Sequence, residues 1–301
     1  MRVTFLVQTT IGLRACLGAV LLVLAGAPSV VADPAPALQE AVSLFESLRY
    51  PEAAEALRKI AAANPANAPA CHYLGRTLLA RNDAAAQEEA LTWLTRAVAL
   101  DPANVPYLAI YGGAALQQAN RTRSISAATK GRDAMEKALK LDPGHLDARE
   151  ALIQFYQRAP WPIGSEAKAT AHLADLRQRS PNRAIALEVS AKTNAKDFSG
   201  AFALCDSALT KDAENYTALY QYGRTAILSG QNLERGLTCL QQCLTLTPPS
   251  AAAPAHSYVW HRIGNIREKL AQPAAARTAY QTALQLDAGN RQAGEALARL
   301  K

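Results

Sequence analysis

Six short segments of this chain share one layout and recur at nearly even spacing. ALDPAN spans Ala99 to Asn104, KLDPGH spans Lys140 to His145 and QLDAGN spans Gln285 to Asn290. Weaker copies are AANPAN at Ala62 to Asn67, RQRSPNR at Arg177 to Arg183 and TLTPPS at Thr245 to Ser250. Each closes an amphipathic stretch at the same phase. One helical unit is therefore being stacked, and this constrains the fold more than length does, because an array buries its core between neighbouring units. The closing positions Pro65, Pro102, Pro143, Pro181, Ala213, Pro248 and Ala288 lie 37, 41, 38, 32, 35 and 40 residues apart. A unit of about 34 residues with variable loops accounts for that series.

The composition agrees. Half of the 301 residues are hydrophobic while only 6% are aromatic. Much of the apolar content is alanine, which loses no side-chain entropy in a helix.

The first residues are set apart. Arg2 and Arg14 are the only charges before Asp33, Ala15 to Ala27 is apolar, and Val30-Val31-Ala32 supplies small residues for cleavage. This layout predicts a secretory signal peptide over 1–32, cleaved after Ala32, with an uncleaved anchor as the alternative. The apolar run is shorter than the ~20 residues a membrane span requires. The chain is expected to be exported, to the periplasm or beyond, with no integral span after cleavage. Beyond the first 32 residues it carries 30 basic and 25 acidic residues. The excess is spread without a dense Lys/Arg block, so nucleic acid is not an expected partner.

Cys71, Cys205, Cys239 and Cys243 match no zinc-ligand spacing, and a Cys239–Cys243 bond along one helix would have poor geometry. They are expected to be buried thiols acting as small hydrophobes, although an oxidising compartment would permit disulfides.

The last full unit shows the pattern best. Trp260, Ile263, Gly264 and Arg267 mark a first helix, and Ala276, Tyr280 and Ala283 a second. These offsets place large and small residues on facing surfaces, and Gly264 with Ala276 would let antiparallel helices approach closely. Gln272-Pro273 supplies the turn and the opening of the second helix. Leu74-Gly75 with Ala90 and Leu94, and Tyr222-Gly223 with Leu240 and Cys243, repeat the scheme. Between Gly112 and Met135 a longer central connection is expected near Arg121 to Lys130. Asn182 to Glu214 fits least well.

The pattern resembles the tetratricopeptide repeat, W-x2-L-G-x2-Y followed by A-x3-F-x2-A and a closing proline. Arg267 replaces the usual tyrosine and Ala288 the proline. The resemblance implies an all-α fold, a right-handed superhelical solenoid of antiparallel helix pairs. Its units would fall at about 33–67, 68–104, 105–145, 146–182, 183–214, 215–250 and 251–289, with a capping helix over 290–300. The loop Arg158 to Ala169 and the LYQYGRTAILSG stretch at Leu219 to Gly230 are similar to those of exported bacterial repeat proteins, a likeness that implies no reaction.

In that family the first helices line a groove, and the fifth and ninth repeat positions commonly face a bound peptide. Carried over, those positions are His72 and Arg76, Glu150 and Gln154, Tyr220 and Arg224, and His261 and Asn265. Trp161 is a further contact candidate, in the 158–169 loop. Gly264-Asn265 also matches part of the site with which some family members hold a chaperone's C-terminal carboxylate. His261 stands where lysine is expected there, and other units do not complete it.

Catalytic and cofactor motifs are missing from the sequence. The five histidines form no H-E-x-x-H pair, and neither a G-x-S-x-G elbow nor a phosphate-binding P-loop occurs. Cys71 and His72 are adjacent, but neighbouring side chains on a helix diverge by about 100°. The expected function is a non-catalytic scaffold or adaptor that binds a peptide or partner protein in the groove, within an envelope complex. The alternative is a subunit binding polysaccharide or cell-wall material, with Tyr107, Tyr111, Tyr220, Tyr222, Tyr258 and Trp260 as stacking surfaces. Neither needs a cofactor or a metal.

Overall fold

A computed structural model describes residues 34–81, 83–160, 163–250 and 253–300. The expected signal peptide and Trp161 lie outside the described residues. Helices account for nearly all of the rest, in pairs: α1 (Pro34–Glu46) with α2 (Tyr50–Ala63), α3 (Ala68–Ala80) with α4 (Ala84–Leu100), and α5 (Val105–Thr122) with α6 (Ile125–Leu141). Then follow α7 (Leu146–Arg158) with α8 (Glu166–Arg179), α9 (Pro181–Asn194) with α10 (Phe198–Lys211), α11 (Tyr216–Ser229) with α12 (Leu233–Cys243), and α13 (His256–Lys269) with α14 (Pro273–Leu286). A single helix, α15 (Arg291–Arg299), ends the stack. The result is an all-α solenoid of antiparallel helix pairs, with no strand among the described residues.

The recurring punctuation has a physical basis at its last residue. Asn67, Asn104, Asn215 and Asn290 each accept, through the side-chain oxygen, the backbone N–H three residues on, at 3.0–3.2 Å. His145 does the same through Nδ1 at 3.1 Å. Each satisfies a donor left open at the start of the next pair's first helix. The motif therefore stops one pair and caps the next.

Within pairs, close approach decides the packing. Leu74, Leu78 and Leu94 are fully buried between α3 and α4. Gly75 lies against Leu94, Gly223 against Leu240 and Gly264 against Tyr280, each so close that a Cβ on the glycine would stand 2.3–2.5 Å from its neighbour. The core runs as successive clusters, the largest spanning α9 to α13, with others shared by α1–α4 and by α5–α8. Cys205, Cys239 and Cys243 sit inside the largest one as buried, free thiols, and Cys71 is buried in α3.

The long connection expected at 121–130 is absent. The additional residues extend α5 to Thr122 and begin α6 at Ile125, so only Arg123 and Ser124 turn the chain. Arg123 adopts the left-handed conformation (φ 57°) and Ser124 caps α6. Asn182 to Glu214, the weakest segment in sequence, forms a complete pair. There α9 follows α8 with only Ser180 between them, and Pro181 opens α9 instead of closing the preceding unit. Proline fits the first turn because that N–H has no helical partner.

Candidate functional site

A groove of about 1040 Å³ opens along the first helices α7, α9 and α11. Glu150 and Gln154 enter it from α7, Arg183 and Ser190 from α9, and Tyr220 and Gln221 from α11. The loop after α12 closes one side with Pro249 and Pro254. That loop is tied down at both ends: Tyr216 donates its hydroxyl proton to the Pro254 carbonyl at 2.5 Å, and His256 Nε2 lies 2.9 Å from the Leu246 carbonyl oxygen. Burial raises the Tyr216 phenol well above its ordinary range, so it stays a donor.

On the α7 side, Ile163 and Gly164 both donate to the Pro160 carbonyl at 2.9 Å, and Ser165 N–H reaches Tyr156 O at 3.2 Å. Ser165 then caps α8. Arg183 spans from α9 to Glu150 and Asp147 of α7. Its hydrogen bond to Glu150 is the main reason the guanidinium is held more firmly protonated than usual.

The eight residues singled out by sequence separate into three places. Glu150, Gln154 and Tyr220 line this groove, and Arg224 sits beside it, donating to Ser190 Oγ at 2.9 Å and Gln221 Oε1 at 3.3 Å. His72 and Arg76 belong to an aromatic cluster nearer the N-terminus. The His72 ring stacks on Tyr107 with centroids 4.4 Å apart, and Arg76 covers the rings of Phe45 and Tyr73 at 4.7 and 5.3 Å. His261 and Asn265 lie in α13 beside Tyr280, whose hydroxyl is 2.7 Å from Asn265 Oδ1.

Burial takes both histidines off the ligand-facing surface: His72 is 4% exposed and His261 5%. Desolvation, aided by Arg76 at His72 and by Arg262 and Arg299 at His261, lowers each imidazole to a pKa of about 4. Both are neutral at pH 7.

The aromatic residues proposed for sugar stacking are largely consumed by packing. Tyr222 is 1% exposed and Tyr220 7%, Trp260 packs against two core clusters, and Tyr107 carries the His72 ring. Tyr258 is the exposed one. Among the described residues, no three His, Cys, Asp or Glu side chains gather in a way that would hold a metal ion.

Sequence reasoning missed Arg183, Ser190, Gln221, Pro249 and Pro254. Arg183 is the third residue of α9, ahead of the fifth and ninth positions.

Stacked helix pairs presenting an open groove on their first helices define a helical repeat scaffold. The tetratricopeptide-repeat family model matches residues 257–290. A tetratricopeptide repeat protein from Parabacteroides merdae superposes with a TM-score of 0.56 at 13% identity, over 89% of this chain and 98% of that one. Yeast Tom70 superposes with a TM-score of 0.63 at 15% identity, over 89% of this chain and 54% of that one, so this chain spans about half of Tom70. No curated protein sequence matches. Residues 257–290 match a tetratricopeptide repeat, and the rest of the described chain shares the fold of such repeats.

Proposed function

We propose that this protein is a non-catalytic adaptor that holds an extended segment of a partner protein in the α7–α9–α11 groove. The observation carrying the proposal is the groove's lining. Gln154, Gln157, Asn182, Asn194 and Gln221 present neutral amides, which both donate and accept, as a peptide backbone does. Ala186 and Ala191 leave room between them. Because the helices fix these groups before binding, little ordering entropy is lost when a segment enters. We further propose that the protein works in the cell envelope after loss of residues 1–32, a placement supported by the charge and hydropathy layout of that segment.

Capture from an envelope extract tests the groove. Ala186→Arg fills it from α9, whereas Arg76→Ala changes only the distant aromatic cluster. Recovery of one partner by the wild type and Arg76→Ala, with loss in Ala186→Arg, is the expected pattern. Equal recovery by all three proteins sinks the groove assignment. Saturable glycan binding without a protein partner would favour the cell-wall alternative instead.

A further inference from the structure

Three arginines reach backwards across successive seams between first helices. Arg183 of α9 reaches α7, Arg224 of α11 reaches α9, and Arg262 of α13 reaches α11. Their partners differ in kind. Arg183 meets two carboxylates, Glu150 and Asp147. Arg224 donates only to the neutral Ser190 hydroxyl (2.9 Å) and Gln221 amide oxygen (3.3 Å). Arg262 Nε donates to the Tyr220 hydroxyl at 3.4 Å.

Neither Arg224 nor Arg262 forms an ion pair with Asp or Glu among the described residues, and both side chains are half-buried. Withdrawing a guanidinium from water is costly unless a counter-charge offsets it. At the first seam the chain supplies that counter-charge itself. At the next two it supplies neutral acceptors that orient the guanidinium and leave its charge unmatched.

We propose that Arg224 and Arg262, which border the groove through its lining residues Ser190, Gln221 and Tyr220, bind side-chain carboxylates of an acidic, extended segment of the partner protein. This rests on the groove being the peptide site and names the chemistry of its ligand. The seam at Arg183, with its two carboxylates, shows what such an arginine takes when one is within reach. A guanidinium offers a planar fork to each carboxylate, and that geometry gives register as well as attraction. Neighbouring helix axes lie ~10 Å apart. A strand advances ~3.3 Å per residue, so adjacent seams suit acidic residues about three positions apart.

Selection of a phage-displayed library of random short peptides on the immobilised full-length protein tests this. The expected consensus carries two Asp or Glu about three residues apart. Fluorescence anisotropy on a selected peptide should show roughly tenfold weaker binding for Glu→Gln in the peptide, and similarly for Arg224→Gln or Arg262→Gln in the protein. Wild-type melting temperatures in both variants would show that the fold is intact. A neutral consensus whose binding is lost in Ala186→Arg overturns the acidic ligand and keeps the groove. No enrichment at all overturns both. Tighter, arginine-dependent binding of polygalacturonate than of any selected peptide overturns the peptide class.

Discussion

The Tyr280 ring packs against the bare backbone of Gly264, so close that a Cβ at 264 would sit 2.3 Å from a ring carbon. Tyr280 is fully buried and its hydroxyl is held by Asn265 and Glu268, which leaves the ring little freedom to retreat. Gly264→Ala should therefore force α13 and α14 apart and cost about 1–3 kcal/mol in urea unfolding, as overpacked cores do. Gly294→Ala, inside α15 with the nearest neighbour 4.0 Å away, is the control and should stabilise by up to about 1 kcal/mol through helix propensity alone.

The capping asparagines give a second test. Asn104→Ala and Asn215→Ala each remove the acceptor for a half-buried helix start. Each should lower stability by about 1 kcal/mol, measured as a shift of the urea midpoint with unchanged slope. Asn215→Asp should retain most of the wild-type value, whereas Asn104→Asp should not, because Asn104 Nδ2 donates to the Asp101 carboxylate at 3.0 Å and a second carboxylate there would repel it.

Acid sensitivity should come from His72 and His261. In the unfolded chain they protonate near pH ~6.5, but in the fold only at about 4. Between those values the unfolded state binds more protons, so stability rises with pH across the window. Their contribution is complete above the unfolded value and is lost as pH falls towards 4, roughly 3 kcal/mol for each ring. His72→Phe, which preserves the ring on Tyr107, should flatten that slope. An unchanged slope between pH 7 and 4.5 in His72→Phe and His261→Phe together would show that other groups set it.

The thiols should be inert in the native protein. Burial raises Cys205 and Cys243 to about 12 and Cys239 to about 11, and raises Cys71 as well. The thiolate is the reactive form. Iodoacetamide at pH 7.5 should leave all four unlabelled in peptide mass spectra, and label all four in denaturant. Rapid native labelling of any one would locate a local opening.

Lys196 holds a left-handed backbone (φ 60°) in the exposed turn between α9 and α10. A side chain there costs roughly 1–2 kcal/mol, which glycine avoids. Lys196→Gly should raise the thermal midpoint, while Lys192→Gly, inside α9, should lower it.

Much of the fold was legible in the chain because its units repeat locally. A helix stop, an asparagine three residues before the second turn's amide, and small residues facing large ones are all short-range facts. They sufficed for helix pairs, and for the expectation that Gly264 faces a second helix. They misplaced the turn at Arg123–Ser124, since helix length is settled by whether tertiary packing rewards further turns: Ala127 is buried near the start of α6, and Gly131 lies close against Leu116 of α5.

The groove was legible only in part. Glu150, Gln154 and Tyr220 were found by carrying positions over from the family, which works where pairs stack in regular register. His72 and His261 occupy the same formal positions, yet large neighbours bury them, Tyr107 on one and Tyr280 on the other. The sequence by itself determined a stack of amphipathic helix pairs, because period and capping act within a few residues. Only the tertiary structure decided which faces stay open to a ligand and which arginines keep an unmatched charge. Those depend on the distance between helices two elements apart, and no local pattern encodes that distance.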